Sequence, residues 1–519
     1  MIANLVPIFT GRFVPSLDGP AHLYNSQLIG SLITGGHNPI DACFMFNPRP
    51  VPNWTGHFLL TLFNSFLPAY IAEKIVLGFY LILLPLAFRA ILRRQQQKNI
   101  AFSYLSLPFT YSLVFCLGFY NFSIAVALAC VVFYLWINAL RVHHGWKSTL
   151  LLTFLILICY FSHVFVFIIL LIGLALLSSL HYLHVLLISQ GERKIVLKGA
   201  LRSVLLSMVI IAPALILLFA YGFWNPVKGN APVYVAHEQL WEWLSCMVPL
   251  IGYHVGMDIV YTQKFLWLLL LILFVTIGVA ITQAVKKNIT IQGVMVKLFD
   301  TRNTWLLLAL LLLVLYFRMP DIDAGAGYVS IRLLYLFYFF MVLWLCTIAK
   351  PRWLSVLAIM VVIHCCFNMA VNRINISRGM LNEANEYYDL SEMIKPNSIV
   401  LPVNAASNWD RGHFSGYLGA DKPIAILDNY ECEIDYFPVT WNMKQIPDFR
   451  FGNIEPLQQN SCLKWRTDTA HSEMKINYVF VNGSLKNLND SCRIRLGAAL
   501  EREFNVIYSS PNCRLYERK

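Results

Sequence analysis

A few polar groups stand out in an apolar chain, and their spacing limits the chemistry they could do. Asp18 and His22 lie four residues apart in Val14-Pro15-Ser16-Leu17-Asp18-Gly19-Pro20-Ala21-His22-Leu23-Tyr24-Asn25, a spacing that puts both on one face of a helix. Proline suits a first helical turn, where its missing N–H is not needed. Helix is therefore expected from Pro20, with Asp18 near the cap. A carboxylate beside a membrane helix can act as a general base or bind a divalent metal. A plain N-cap with a satisfied histidine answers the same spacing.

Two further groups lie between apolar runs. His163 sits in Tyr160-Phe161-Ser162-His163-Val164, and Arg332 in Gly327-Tyr328-Val329-Ser330-Ile331-Arg332-Leu333-Leu334. Ionisable residues at membrane depth point to a substrate path. Arg332 could pair with a phosphate near the headgroups, or extend its charged end to the interface. Asp321 and Asp323 form a lone D-x-D that solvation explains. Trp224, Trp241 and Trp243 in the loop 224–264 are boundary anchors first, and could also stack on sugar faces. Glu73 is the one acidic residue deep in an apolar run, with Lys74 beside it as a candidate partner.

The elements that must position these groups are membrane helices. Hydrophobic residues make up 58% of the 519 residues, charged residues only 13%, and the mean hydropathy is +0.59. An ordinary soluble domain is about 25% charged. Apolar blocks long enough to cross a bilayer are expected at 69–88, 101–117, 121–140, 148–162, 164–184, 203–223, 265–284, 304–318, 333–349 and 353–371. The loops 89–98, 141–147, 190–202, 285–302 and 350–352 hold 16 Lys and Arg, and the alternate set only six. By the positive-inside rule the first set is cytoplasmic. Residues 1–68, the loops 224–264 and 318–332 and the C-terminal region then face outward. This also accounts for the basic chain without nucleic acid. Residues 372–519 carry 17 basic against 18 acidic groups, and the rest 23 against 10, so the +12 net charge is topological. Met1–Thr10 would cover only ~15 Å as helix, too short to cross. Either the chain starts outside or an eleventh span lies upstream of Met1, and the second is the expectation.

In that first loop, Pro48, Pro50 and Pro52 exclude regular helix, and residues 54–67 read as an amphipathic, interfacial one. After residue 371 the pattern changes to a small α/β domain. Helix is expected at 379–394, a turn at Lys395-Pro396-Asn397-Ser398, and strands at 399–403, 478–481, 506–509 and 514–517. A short helix is expected at 494–504. Cys432, Cys462, Cys492 and Cys513 permit two disulfides in an exported domain. Without a CxxC spacing, they do not read as a zinc site. The domain division is 1–68, 69–371 and 372–519.

The chain resembles the GT-C superfamily of integral-membrane glycosyltransferases. The residues that carry the resemblance are Leu17-Asp18-Gly19-Pro20-Ala21-His22, the proline-rich stretch 48–52, Phe115-Cys116-Leu117-Gly118-Phe119-Tyr120-Asn121, Ser162-His163 and Ser330-Ile331-Arg332. No WWDYG-type signature is present. The resemblance implies a polytopic helical fold with a C-terminal extracytoplasmic domain in a bacterial inner membrane. It implies a sugar taken from a polyprenyl-phosphate donor and passed to a glycan, lipid or protein acceptor. By it, Asp18 would be the catalytic acid-base or metal-associated carboxylate, Arg332 would hold the lipid phosphate, and His22 and His163 would be substrate contacts. The cofactor is left open, with a divalent metal ion the candidate. The rival readings are a transporter or flippase of envelope lipids and a non-catalytic envelope scaffold.

Overall fold

The computed structural model describes residues 2–519 except 38, 142–144, 190–192, 225–230, 253–254, 287–290, 323–326, 349, 406–407, 435, 443–474 and 488–489. The chain is predominantly helical and carries a small C-terminal sheet domain. Among the described residues, seven helices are long and apolar enough to cross a membrane: Ala69–Gln95, Tyr120–Ala139, Val164–Ile188, Arg193–Phe223, Gly256–Thr282, Val329–Thr347 and Arg352–Met393. Ile100–Phe109, Trp146–Ser162 and Thr301–Tyr316 are apolar but shorter.

Some of the expected elements differ. The expected span 101–117 is a 3₁₀ run over Gln97–Phe109 followed by a short helix Leu113–Cys116. Pro108 explains part of this, since it cannot donate the backbone bond that an α-helix would require there. The helix expected at 379–394 is instead the end of one 39-residue helix, Arg352–Leu390. Nothing between residues 352 and 390 breaks it, because the chain there turns polar without a proline.

By its contacts the chain divides into two compact units. One comprises Met1–Leu5, Phe79–Cys116 and Asn121–Arg373, and the other Val6–Gly78, Leu117–Tyr120 and Ile374–Lys519. The first is a helical bundle with an aromatic interior. Phe109 packs edge-on to Tyr335 and Phe339, and Trp305 to Phe133. Helix Val164–Ile188 approaches closely at Gly173, where a Cβ would lie 2.6 Å from the Phe133 ring.

The second unit joins the first loop to the C-terminal domain. Its strands are β1 (Phe44–Phe46), β2 (Ile399–Ala405), β3 (Ala425–Ile426), β4 (Val439–Trp441), β5 (Tyr478–Gly483), β6 (Phe504–Ser509) and β7 (Cys513–Arg518). Five form a mixed sheet in the order β3-β2-β5-β7-β6. β2 runs parallel to β3 and β5, and β7 antiparallel to β5 and β6. β2 reads Ile-Val-Leu-Pro-Val-Asn-Ala and is buried along nearly its whole length, as expected of a parallel strand covered on both faces. Pro402 is tolerated because β3 pairs only Ile399 and Val400. The missing N–H of Pro402 faces the side where β3 has ended. β1 and β4 form a separate antiparallel pair. Cys432 and Cys513 are free, buried thiols rather than disulfide partners. Cys462 lies outside the described residues, as does the side chain of Cys492.

Candidate active site

The first loop builds the site from a helix cap. Helix Gly19–Thr34 starts one residue before the expected Pro20, with Asp18 at the N-cap and Pro20 in the first turn. The Asp18 side chain makes no capping bond. Ser16 Oγ takes the Gly19 N–H instead, at 3.0 Å. The Asp18 N–H donates to Leu117 O and the His22 N–H to Asp18 O, both at 3.0 Å. Asp18 and His22 therefore come together as the spacing implied, but the carboxylate is not spent on the cap.

Backbone approach at the hairpin 117–120 holds this arrangement. Gly118 has φ +94, and a Cβ there would lie 2.8 Å from Gly19 N, 2.9 Å from Asp18 N and 3.0 Å from Asp18 Cβ. Only glycine combines that φ with that proximity. Below the loop, Tyr120 Oη donates to Glu73 Oε1 at 3.2 Å and bonds Ser16 Oγ at 3.0 Å, while Glu73 Oε2 accepts the Val14 N–H at 2.9 Å. Lys74 donates to Gly11 O at 2.6 Å, so the fully buried Glu73 carboxylate is met by Tyr120 and backbone instead of a hydrogen bond from its neighbour.

Residues 409–433 add groups that no local pattern announces. Tyr24 Oη donates to Ile424 O and accepts from Ile426 N, and Asn25 and Asn429 exchange amide hydrogen bonds. This docking leaves His413 stacked on Tyr430, ring centroids 4.1 Å apart. His413 Nε2 is 3.7 Å from Asp18 Oδ1, and the Tyr430 hydroxyl is bonded to Asp18. Burial pushes the His413 imidazole down to about 3, against the pull of the Glu431 charge. His413 is thus a neutral neighbour, and burial with the Asp18 and Glu431 charges holds the Tyr430 phenol well above its ordinary value.

Glu431 meets two histidines. Its Oε1 lies 2.7 Å from His22 Nδ1 and its Oε2 2.7 Å from His57 Nε2, and the two ring nitrogens are 3.3 Å apart. Burial alone would raise the carboxyl, but the charge and contact of His57 and His22 bring it down to about 2. For His22 burial pulls downward, and Glu431 reverses it to a net rise. Among the described residues, these three are the group whose ligand atoms could hold a metal ion, all within 4.8 Å of one another and all buried. His57 stands in helix Trp54–Asn64, shorter than the expected 54–67, with Asn53 at the N-cap position in the left-handed region, which asparagine tolerates.

His163 and Arg332 lie in the helical unit. His163 ends helix Trp146–Ser162, and Arg332 is in the first turn of Val329–Thr347. Both rest on Phe122: the imidazole edge-on at 5.3 Å, the guanidinium at 5.9 Å from the ring centre. The D-x-D reading divides, since Asp321 Oδ1 caps that same helix through Ser330 N at 2.9 Å while Asp323 lies outside the described residues. Sequence reasoning missed Glu431, His413 and Tyr430, and covered His57 only as part of the interfacial helix expected at 54–67. Glu431 is 374 positions from His57, so no spacing relates them.

No family model matches the chain, and no curated protein matches it. Among solved structures it is similar to ArnT from Cupriavidus metallidurans in the apo state, at 10% identity and a TM-score of 0.49. The match covers 99% of this chain and 96% of that one. At that identity it says nothing of donor or acceptor.

Proposed function

We propose that this chain is a membrane glycosyltransferase that moves a sugar from a polyprenyl-phosphate-linked donor to an acceptor at the outward face. The observation that carries the reading is the Asp18 carboxylate. It caps nothing, yet it sits at a helix N-terminus, where the dipole favours an anion. It receives the Tyr430 hydroxyl. Its side chain is 12% exposed, against 1% for Glu431, so of the two acids in this cluster it is the more open to an acceptor.

In this reading Asp18 takes the proton of an acceptor hydroxyl as that oxygen bonds the anomeric carbon. The bond from the anomeric carbon to the lipid phosphate breaks at the same time, and the phosphate leaves with its electrons. Arg332 and His163, which share Phe122 in the helical unit, are the candidate polar contacts for a lipid phosphate. His22 positions the loop from one turn along the helix.

The test is Asp18→Asn in a deletion strain scored for surface glycan. Loss of glycan as complete as in the deletion, with protein level and melting unchanged, is expected. Wild-type glycan in that strain would remove Asp18 from the chemistry and favour the flippase or scaffold.

A further inference from the structure

The Glu431 cluster has hydrogen-bonding logic of its own. His22 Nε2 lies 2.9 Å from Gly118 O, and His57 Nδ1 2.9 Å from Asn53 O. A carbonyl oxygen only accepts, so each outer nitrogen carries the N–H. In the neutral rings the inner nitrogens, His22 Nδ1 and His57 Nε2, are then lone pairs. Two lone pairs 3.3 Å apart face a carboxylate 2.7 Å from each. Acceptors converge here with no donor among them.

Protons fill this gap poorly. One proton, on His57, satisfies Oε2 and leaves the His22 lone pair against Oε1. Glu431 Oε1 in fact has no hydrogen-bond partner although His22 Nδ1 is 2.7 Å away. Two protons give each carboxylate oxygen a donor but leave two imidazolium rings on one carboxylate, a net positive charge in a fully buried site, which is costly.

A cation between the three groups resolves every contact. Two nitrogens each ~2.0–2.1 Å from a tetrahedral ion are ~3.3–3.4 Å apart, which is the separation found. The shorter nitrogen-to-oxygen contacts suit a carboxylate that grips the ion with both oxygens. The outer N–H of each histidine on a carbonyl is the support that metal-bound histidines ordinarily have. Imidazole and carboxylate together favour zinc.

We propose that His22 Nδ1, His57 Nε2 and both Glu431 oxygens bind one zinc ion. It fastens the 409–433 segment to the two first-loop helices. The two imidazoles and the carboxylate are three protein ligands, which leaves a fourth position for water, and their full burial on separate segments suits the ion to holding those segments together. It holds Tyr430, next in chain to Glu431, against Asp18. The site stands on its own donor geometry and does not depend on sugar transfer.

The test uses full-length protein in detergent, with zinc measured by mass spectrometry after desalting. About one zinc per chain is expected. His57→Asn and Glu431→Gln should each lose it, and His237→Asn, at an exposed histidine, should keep it. For wild type, chelation should lower the melting midpoint by several degrees and added Zn²⁺ should restore it, by mass action on the folded state. This arm decides the matter even if the variants do not fold. Wild-type protein without stoichiometric zinc and with melting indifferent to Zn²⁺ overturns the proposal. So does zinc that survives both substitutions. Neither readout involves glycan, so failure here is separate from failure of the transferase reading.

Discussion

Gly118→Ala should disable the first loop while leaving the helical unit intact. An alanine at φ +94 costs about 1–2 kcal/mol for the left-handed backbone. Its Cβ would meet Gly19 N at 2.8 Å and Asp18 N at 2.9 Å. Those neighbours are backbone atoms that no rotamer change can clear, adding about 1–3 kcal/mol. The stiffer unfolded chain returns about 0.4–1 kcal/mol, for a net loss of about 1–5 kcal/mol. The strain falls where Leu117 O and Gly118 O accept from Asp18 N and His22 Nε2, so glycan output should fall with stability. Melting in detergent, followed by tryptophan fluorescence, reads the first effect, and complementation of the deletion strain the second. Gly199→Ala is the control: nothing lies within 4 Å of its Cβ, and in a helix interior it should stabilise slightly. A Gly118→Ala protein that melts with wild type and restores full glycan would refute the packing of this hairpin on Asp18.

Other substitutions probe separate joints. Tyr120→Phe removes the hydroxyl between Glu73 and Ser16 and should cost about 1–3 kcal/mol by weakening support of a buried carboxylate; Glu73→Gln in the same background should then cost less than in wild type, as a double-mutant cycle would read. Burial raises the Asp428 carboxyl to about 7 although Ser415 donates to it. Folding therefore favours the neutral acid: stability is full below the unfolded value near 4 and declines as pH rises through about 7. Asp428→Asn should flatten the melting profile across that window, and an unchanged slope would contradict the burial argument. Arg332→Gln should raise the apparent KM for a lipid-linked donor in a proteoliposome assay about tenfold or more, given about 1.5–3 kcal/mol for a charged hydrogen bond, with Arg332→Lys recovering part of it.

Local patterns were readable where local physics decides the outcome. The Asp18 cap followed from Gly19-Pro20, and strands at 399–403, 478–481, 506–509 and 514–517 all fall inside observed ones. Apolar length gave the membrane helices, although the 3₁₀ run at 97–109 shows that apolar content does not choose the helix type. The helix over 352–390 runs through a change from apolar to polar sequence, because polarity ends a span without ending a helix. The site was half legible. Asp18 and His22 share one turn, but Glu431 and His413 reach them through tertiary docking by Tyr24 and Asn25, to which no periodicity is sensitive.

The β1–β4 pair has a consequence for biosynthesis. Phe46 is opposite Val439, so a strand near the start of the chain waits for a partner near its end. At ~5–20 residues per second of translation, the interval is about 20–80 s. Until then β1 offers unpaired backbone edges to any passing strand, and Glu431 has not yet been made to join His22 and His57. The membrane helices can be inserted in order as they emerge, but the chemistry-bearing loop matures last. A ribosome stalled before residue 439 should yield an inserted chain whose first loop is open to protease and chaperone alike.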